Sequence, residues 1–115
     1  MSRKAIFLKT KIVGTQFRGI SAQVRLARLM DQERVELRRE PHNEYDSNAI
    51  SVWSNEGIGV DEYSGMPHGI MLGYIPKAKN ADLARQMDEG IQVCGFWEED
   101  GEVVRVESIP DVIEN

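Results

Sequence analysis

The sequence contains a single cysteine, Cys94, which excludes a disulfide within the chain and suits a reducing compartment such as the cytosol. It has no apolar run near the roughly 18 residues that a membrane-spanning helix needs. Its basic first residues lack the apolar core and small-residue cleavage site of a signal peptide. We therefore expect a cytoplasmic or nucleoid-associated protein that makes no membrane contact.

Metal-binding and catalytic patterns are also missing. The chain has only two histidines, and His68, with Asp61 and Glu62 nearby, has no second histidine at ligand spacing. We find no P-loop, no paired metal-binding carboxylates and no nucleophile arrangement. These absences predict a protein that is not an enzyme and that needs neither a metal nor a cofactor.

The net charge of −5 is unfavourable for extensive contact with a nucleic-acid backbone. The charge is unevenly distributed, however. Residues 1–60 contain ten Lys and Arg against seven Asp and Glu, whereas residues 61–115 contain four against twelve. A locally basic pocket on an acidic body is compatible with this pattern, so any nucleic-acid contact is expected to be modest and confined to an end.

The chain length of 115 residues and the ordinary globular composition predict one domain, 1–115, with a single core. Alternating apolar residues predict six short strands, at 5–14, 34–40, 47–53, 70–75, 91–97 and 103–109. Helical spacing predicts two short helices, at 21–30 with Ser21 as N-cap and an outward-facing Arg25 and Arg28, and at 81–89 with Asn80 as N-cap and Gly90 as C-cap. Residues 54–69 are expected to form a long loop. This pattern predicts a mainly β, closed or nearly closed small barrel.

The stretch 38–52, RREPHNEYDSNAISV, combines a strand end, a polar turn and the start of a second strand. Tyr45 lies inside this polar turn, where its ring either packs against the core edge or presents a flat face to a ligand. Asp46 is either an Asx-turn residue that bonds its own backbone or an acceptor for a terminal hydroxyl group. Phe17, between Gly14 and Gly19, likewise either plugs a barrel end or is available for stacking.

The same stretch resembles the signature of the HIRAN domain family, roughly R-E-P-x-N-x-Y-D-x-N-A-I-x-V. Two further segments match in the same order, IVGTQF at 12–17 and LGYIPK at 72–77, so the resemblance covers about residues 6–94. After the last predicted strand, the chain ends in a short acidic tail at 110–115. It implies a small barrel related to OB and SH3-like folds, which agrees with the six strands and two short α-helices that the patterns predict. It also implies binding of the 3′ end of single-stranded DNA, as in the family's fork-remodelling translocases.

The resemblance assigns roles to individual residues. It implies that Phe17 stacks on the terminal base, that Lys77 contacts phosphate, and that Asn43, Tyr45 and Asp46 line an end-binding pocket. One position departs from the family pattern: Gln16 stands where an arginine can contact phosphate. This departure removes one cation from the site unless Arg18 substitutes for it. The candidate DNA-binding residues share a position at motif loops or strand ends: Phe17, Arg18, Asn43, Tyr45, Asp46, Tyr74 and Lys77.

Two functions are consistent with these observations. The first is a module that captures single-stranded DNA 3′ ends in DNA repair or replication-fork processing, together with a helicase, nuclease or other repair protein. The second is a protein-interaction or regulatory module that kept the fold without DNA binding, which the net charge and Gln16 favour. The sequence leaves the oligomeric state unknown.

Overall fold

The computed structural model describes residues 7–54 and 69–109. Within these ranges the chain forms six strands, a short 3₁₀ turn at Thr15–Phe17 and two helices, which confirms the predicted mainly β class. The strands are β1 (Phe7–Thr10), β2 (Arg34–Arg39), β3 (Ile50–Ser54), β4 (Ile70–Tyr74), β5 (Val93–Glu98) and β6 (Val103–Ser108). The helices are α1 (Ile20–Ala27) and α2 (Lys77–Asp88).

All six strands belong to one antiparallel sheet in the order β1-β6-β5-β2-β3-β4. The two edge strands do not pair along their length, so the sheet is only approximately a barrel. One bridge, with two hydrogen bonds of 2.9 Å between Val13 and Tyr74, brings the segment after β1 against β4. A side chain at Gly73 would fall within 2.6 Å of the Val13 carbonyl oxygen, so this approach requires glycine there.

The core packs alternate strand residues against apolar side chains of the two helices. Strands β2 and β3 form one hairpin, and β5 and β6 form another, as their pairing registers show. Gly101, at φ +92°, supplies the left-handed backbone that the second hairpin turn needs. The largest fully buried apolar side chains are Ile50, Leu72, Ile75, Val35, Val52, Val104 and Val106.

The first helix differs from its prediction in both its start and its buried face. It begins at Ile20 after Gly19, so Ser21 is not its N-cap. Arg25, expected to face outward with Arg28, is buried, while Arg28 is exposed. The Arg25 guanidinium donates to Ser54 Oγ at 2.8 Å and pairs with Glu33. These partners compensate the desolvation of the charge, and apolar periodicity carries no information about them.

The second helix begins four residues earlier than predicted, immediately after Pro76. Proline has no backbone N–H to lose and its fixed φ is compatible with a helix start, so Lys77 can already be helical. Asn80 is therefore not an N-cap but a buried residue of the first turn. Gly90, at φ +95°, follows the C-cap Glu89 and ends the helix close to the predicted position.

Several strand ends also move inward from their predicted positions. Strand β1 ends at Thr10 rather than at residue 14, because the chain leaves the sheet after Thr10 and returns only at the Val13 bridge, while the predicted start at residues 5 and 6 lies outside the described residues. Strand β3 begins at Ile50, since residues 46–49 belong to the turn. The predicted loop at 54–69, including Asp61, Glu62 and His68, lies outside the described residues except for its two ends, as does the acidic tail at 110–115.

Candidate binding pocket

One pocket gathers most of the residues that the motifs single out. It has a volume of about 640 Å³ and lies between the β2–β3 connection, the end of β4 and the start of α2. Its walls include Val13, Ala49 and Ile75, which form an apolar base. Six of the seven predicted site residues line it, namely Arg18, Asn43, Tyr45, Asp46, Tyr74 and Lys77.

The β2–β3 connection is held in shape by its own side chains. Asn43 Oδ1 accepts hydrogen bonds from the backbone N–H groups of Tyr45, at 2.9 Å, and Asp46, at 3.1 Å. Asp46 Oδ1 accepts from the Asn48 N–H at 2.9 Å, which confirms the Asx turn. Tyr45, which follows Asn43 in this bonded connection, is 84% exposed, so its ring points away from the core. The interpretation in which Tyr45 packs against the core edge is wrong.

Asp46 has a second partner, which the sequence did not indicate. Its Oδ2 accepts a 2.8 Å hydrogen bond from Nδ2 of Asn80, on the first turn of α2. Asn80 is 1% exposed, so this hydrogen bond anchors the carboxylate to a buried residue. The bonds from Asn80 and from Asn48 lower the pKa of Asp46 below its ordinary value, and the nearby positive charge of Lys77 adds to this effect. The carboxylate is therefore held ionised beside the pocket.

Tyr74 lines the pocket at the end of β4, and Glu40, outside the lining, bonds its hydroxyl group. The Tyr74 hydroxyl donates to Glu40 Oε1 at 2.9 Å, and Asn43 Nδ2 donates to the same oxygen at 3.0 Å. Burial opposes the ionisation of Glu40, but these hydrogen bonds keep its pKa below the ordinary value. Burial, together with the bond to Glu40, raises the pKa of Tyr74, which therefore stays protonated as a donor. The Arg18 guanidinium lies 5.8 Å from the Tyr74 ring centroid.

A further ion pair connects the end of β2 to α2. The Arg39 guanidinium donates to both Asp88 carboxylate oxygens, at 2.8 and 3.0 Å, and to the Ala49 carbonyl at 2.9 Å. The hydrogen bond from Arg39 lowers the pKa of Asp88 below its ordinary value. With the Asp46–Asn80 contact, this pair ties the connection to α2 at two points, so the pocket geometry is preorganised.

The structure does not place Phe17 in the pocket lining. Phe17 ends the 3₁₀ turn, is 74% exposed and precedes Arg18, which does line the pocket. The interpretation of Phe17 as a plug of the barrel end is therefore wrong. Lys77 is exposed at the first position of α2.

Three pocket features were missed by the sequence analysis: Glu40, Asn80 and the Arg39–Asp88 pair. Glu40 and Arg39 had a signal, because both belong to the R-E-P motif, whereas Asp88 had none and Asn80 was assigned as a helix cap. Among the described residues, no group of three or more His, Cys, Asp or Glu side chains is arranged to hold a metal ion. Neither helix in the described parts of the chain is long and apolar enough to cross a membrane.

The fold and the pocket define the chain as a small, mainly β binding module. A model of the HIRAN domain matches residues 7–108, and the chain belongs to the HIRAN domain family. It is similar in structure to a protein from Lactobacillus plantarum, with a TM-score of 0.65 and 27% identity over 91% of this chain and 93% of that one. It also shares its fold with the HIRAN domain of human HLTF, with a TM-score of 0.61 and 22% identity over 90% of this chain and 78% of that one. The curated proteins searched include no significant match.

Proposed function

We propose that this chain binds the 3′ end of single-stranded DNA in the pocket between the β2–β3 connection and α2. One observation carries the proposal: a fixed carboxylate, Asp46, lies in one pocket with a cation, Lys77, and an exposed aromatic ring, Tyr45. The resemblance to DNA-binding HIRAN domains supports this choice among the possible ligands.

The proposed roles follow from the chemistry of each group. Each Asp46 carboxylate oxygen accepts one hydrogen bond within the chain and keeps a second acceptor site, so the Asx turn leaves Asp46 able to accept a hydrogen bond from a free 3′-hydroxyl. A carboxylate repels a phosphate, so Asp46 selects a strand end over a continuous strand. Lys77 and Arg18 donate to phosphate oxygens. Tyr45 and Phe17 offer faces for bases, where stacking contributes about 1–3 kcal/mol per base. Tyr74 forms the wall, and Asn43 holds the turn in place.

The mixed charge of the pocket sets the expected strength and salt dependence of binding. Arg18 and Lys77 are the two Lys or Arg side chains in the lining, which also contains Glu44 besides Asp46, and Gln16 adds no cation. Each neutralised phosphate of a single strand contributes a slope of about −0.7 in the logarithm of affinity against the logarithm of salt concentration. We therefore expect modest affinity with a shallow salt dependence, as suits transient recognition of ends in DNA repair or fork processing beside a helicase or nuclease.

A protein-interaction role without DNA binding is the second candidate. The observation that favours it is the surface formed by α1 and the residues after it, where Ile20, Val24 and Met30 are exposed around a cavity of about 830 Å³. In that case no oligonucleotide binds, and substitutions on this face, rather than in the pocket, abolish the interaction with a partner protein.

Fluorescence anisotropy at low salt tests the proposed function, with short oligothymidines that end in a 3′-hydroxyl or a 3′-phosphate. We expect the 3′-phosphate to bind at least about tenfold more weakly, since it places an anion against Asp46. Asp46→Asn should reduce this discrimination and Tyr45→Ala should weaken binding of the free end. Asp100→Asn, which preserves a turn-forming pair with Gly101, is the matched control. Equal affinity for both ends, or no binding of either, contradicts the proposal.

A further inference from the structure

The pocket wall continues into the outer face of the sheet. Tyr74 lies directly opposite Ser51, and Ser51 lies directly opposite Arg38, in the registers of β4, β3 and β2. Side chains of directly opposed residues project from the same face. Since neighbouring strands are about 4.8 Å apart, Arg38 lies roughly 10 Å from Tyr74 across this face.

Arg38 forms a flat, cationic surface there. Its guanidinium carbon lies 4.0 Å from the centroid of the Trp53 ring, at stacking distance. The ring is held in place, because its Nε1 donates to Ser51 Oγ at 2.8 Å, and Ser51 Oγ in turn donates to the Arg38 carbonyl at 3.3 Å. The Arg38 side chain is 38% exposed, so part of it is open to solvent beside Gly69, where a Cβ would lie 3.5 Å from its Nη2.

We propose that the Arg38–Trp53 pair is a second nucleotide subsite, which holds an internal nucleotide of the single strand whose 3′ end occupies the pocket. A guanidinium plane stacks on bases, donates to phosphates, and tolerates any base. Trp53 acts as a positioning residue that orients the plane. The inference rests on the proposed function and deepens it, because it adds a path for the strand beyond its end.

Two carboxylates face the same surface. Glu40 already accepts bonds from Tyr74 and Asn43. Glu36, two residues before Arg38, accepts a 2.9 Å hydrogen bond from it, with both side chains largely exposed. An exposed ion pair of this kind is weak, so a phosphate can replace Glu36 as the partner of Arg38. Removal of the Glu36 charge should therefore improve binding, which a purely structural Arg38–Trp53 contact does not predict.

The experiment compares a thymidine dinucleotide with a hexanucleotide, both with a free 3′-hydroxyl. In the parent protein the hexanucleotide should bind at least about fivefold more tightly, as expected for one added stacking contact. Arg38→Gln should remove most of this gain, leave the affinity for the dinucleotide unchanged, and make the salt slope for the hexanucleotide shallower by about 0.7. Glu36→Gln should increase the gain about twofold or more. Arg28→Gln, which removes an exposed cation on α1, is the control and should change none of these values.

The outcomes separate this inference from the proposed function. If the dinucleotide binds through its 3′-hydroxyl but the hexanucleotide binds no more tightly, the subsite is overturned and the end pocket stands. If Arg38→Gln and Glu36→Gln leave the length dependence intact, the strand follows another path and the inference is also overturned. If neither oligonucleotide binds, the proposed function and the subsite both fail.

Trp53→Leu should reduce the length-dependent gain as Arg38→Gln does, and a folded Trp53→Leu protein that keeps the whole gain contradicts the positioning role.

Discussion

The two helices each direct one buried polar side chain towards the sheet, but the two side chains act on different parts of the molecule. Arg25 of α1 bonds Ser54 at the end of β3 and pairs with Glu33 before β2, where it joins elements of the scaffold. Asn80 of α2 bonds Asp46 in the connection that lines the pocket. The buried Arg25 of α1 therefore stabilises the fold, whereas the buried Asn80 of α2 stabilises the geometry of the pocket.

The largest expected effect is the loss of stability on Arg25→Ala. This change leaves Ser54 and the partly buried carboxylate of Glu33 without their arginine partner, and we expect the free energy of unfolding to fall by about 2–4 kcal/mol. Urea denaturation measures this effect. Arg28→Ala removes an exposed arginine at the C-cap of α1 and should change the free energy of unfolding by less than about 0.5 kcal/mol. If Arg25→Ala is as stable as Arg28→Ala, the scaffold role of α1 is wrong.

Asn80→Ala should have a smaller effect on stability and a larger one on binding. Loss of one buried hydrogen bond is expected to cost about 1–2 kcal/mol of unfolding free energy. Because Asp46 then loses its anchor to α2, affinity for a 3′-hydroxyl end should fall by about fivefold to tenfold, while folded Arg25→Ala protein should bind like the parent. Anisotropy titrations of the two variants sharpen the comparison. Equal binding losses in both would show that the helices do not differ in role.

The smallest expected effect is a shift in the titration of Asp46. Because its pKa is lower in the folded than in the unfolded chain, ionisation of Asp46 stabilises the fold above the ordinary aspartate pKa of about 3.9, and this contribution is lost as the pH falls through the lower folded value. Asn80 is the main cause, so Asn80→Ala should raise the pKa of Asp46. The side-chain carboxyl signal of Asp46 in NMR spectra reports this directly. An unchanged midpoint in Asn80→Ala contradicts the assigned contact.

The sequence predicted those features that short segments encode. The three motif segments, with the residue that follows the first of them, indicated six residues that line one pocket, and alternation indicated six strands. It did not predict the roles of Arg25 and Asn80, because their partners Ser54 and Asp46 are 29 and 34 residues away along the chain. Local patterns therefore assigned one as an outward-facing charge and the other as a helix cap, although both are buried.

The exposure of Phe17 shows a different limit of sequence reasoning. Its position between two glycines left a core plug and a stacking platform equally consistent with the sequence, and only the 3₁₀ turn reveals an exposed ring. The pocket itself also depends on tertiary approach, since Arg18 and Tyr74 meet only where the Val13 bridge draws the chain against β4.

The most direct test of the central claim is an NMR titration of the isotope-labelled chain with a thymidine dinucleotide that has a free 3′-hydroxyl. We expect saturable shifts of the backbone amide signals of Tyr45 and Asp46 and of the Asn80 side-chain amide, while the signals of α1 around Val24 stay unchanged. A dinucleotide with a 3′-phosphate should produce much smaller shifts at the same positions. Shifts centred on α1, or none with either ligand, would contradict the assignment of the pocket as the site of end recognition.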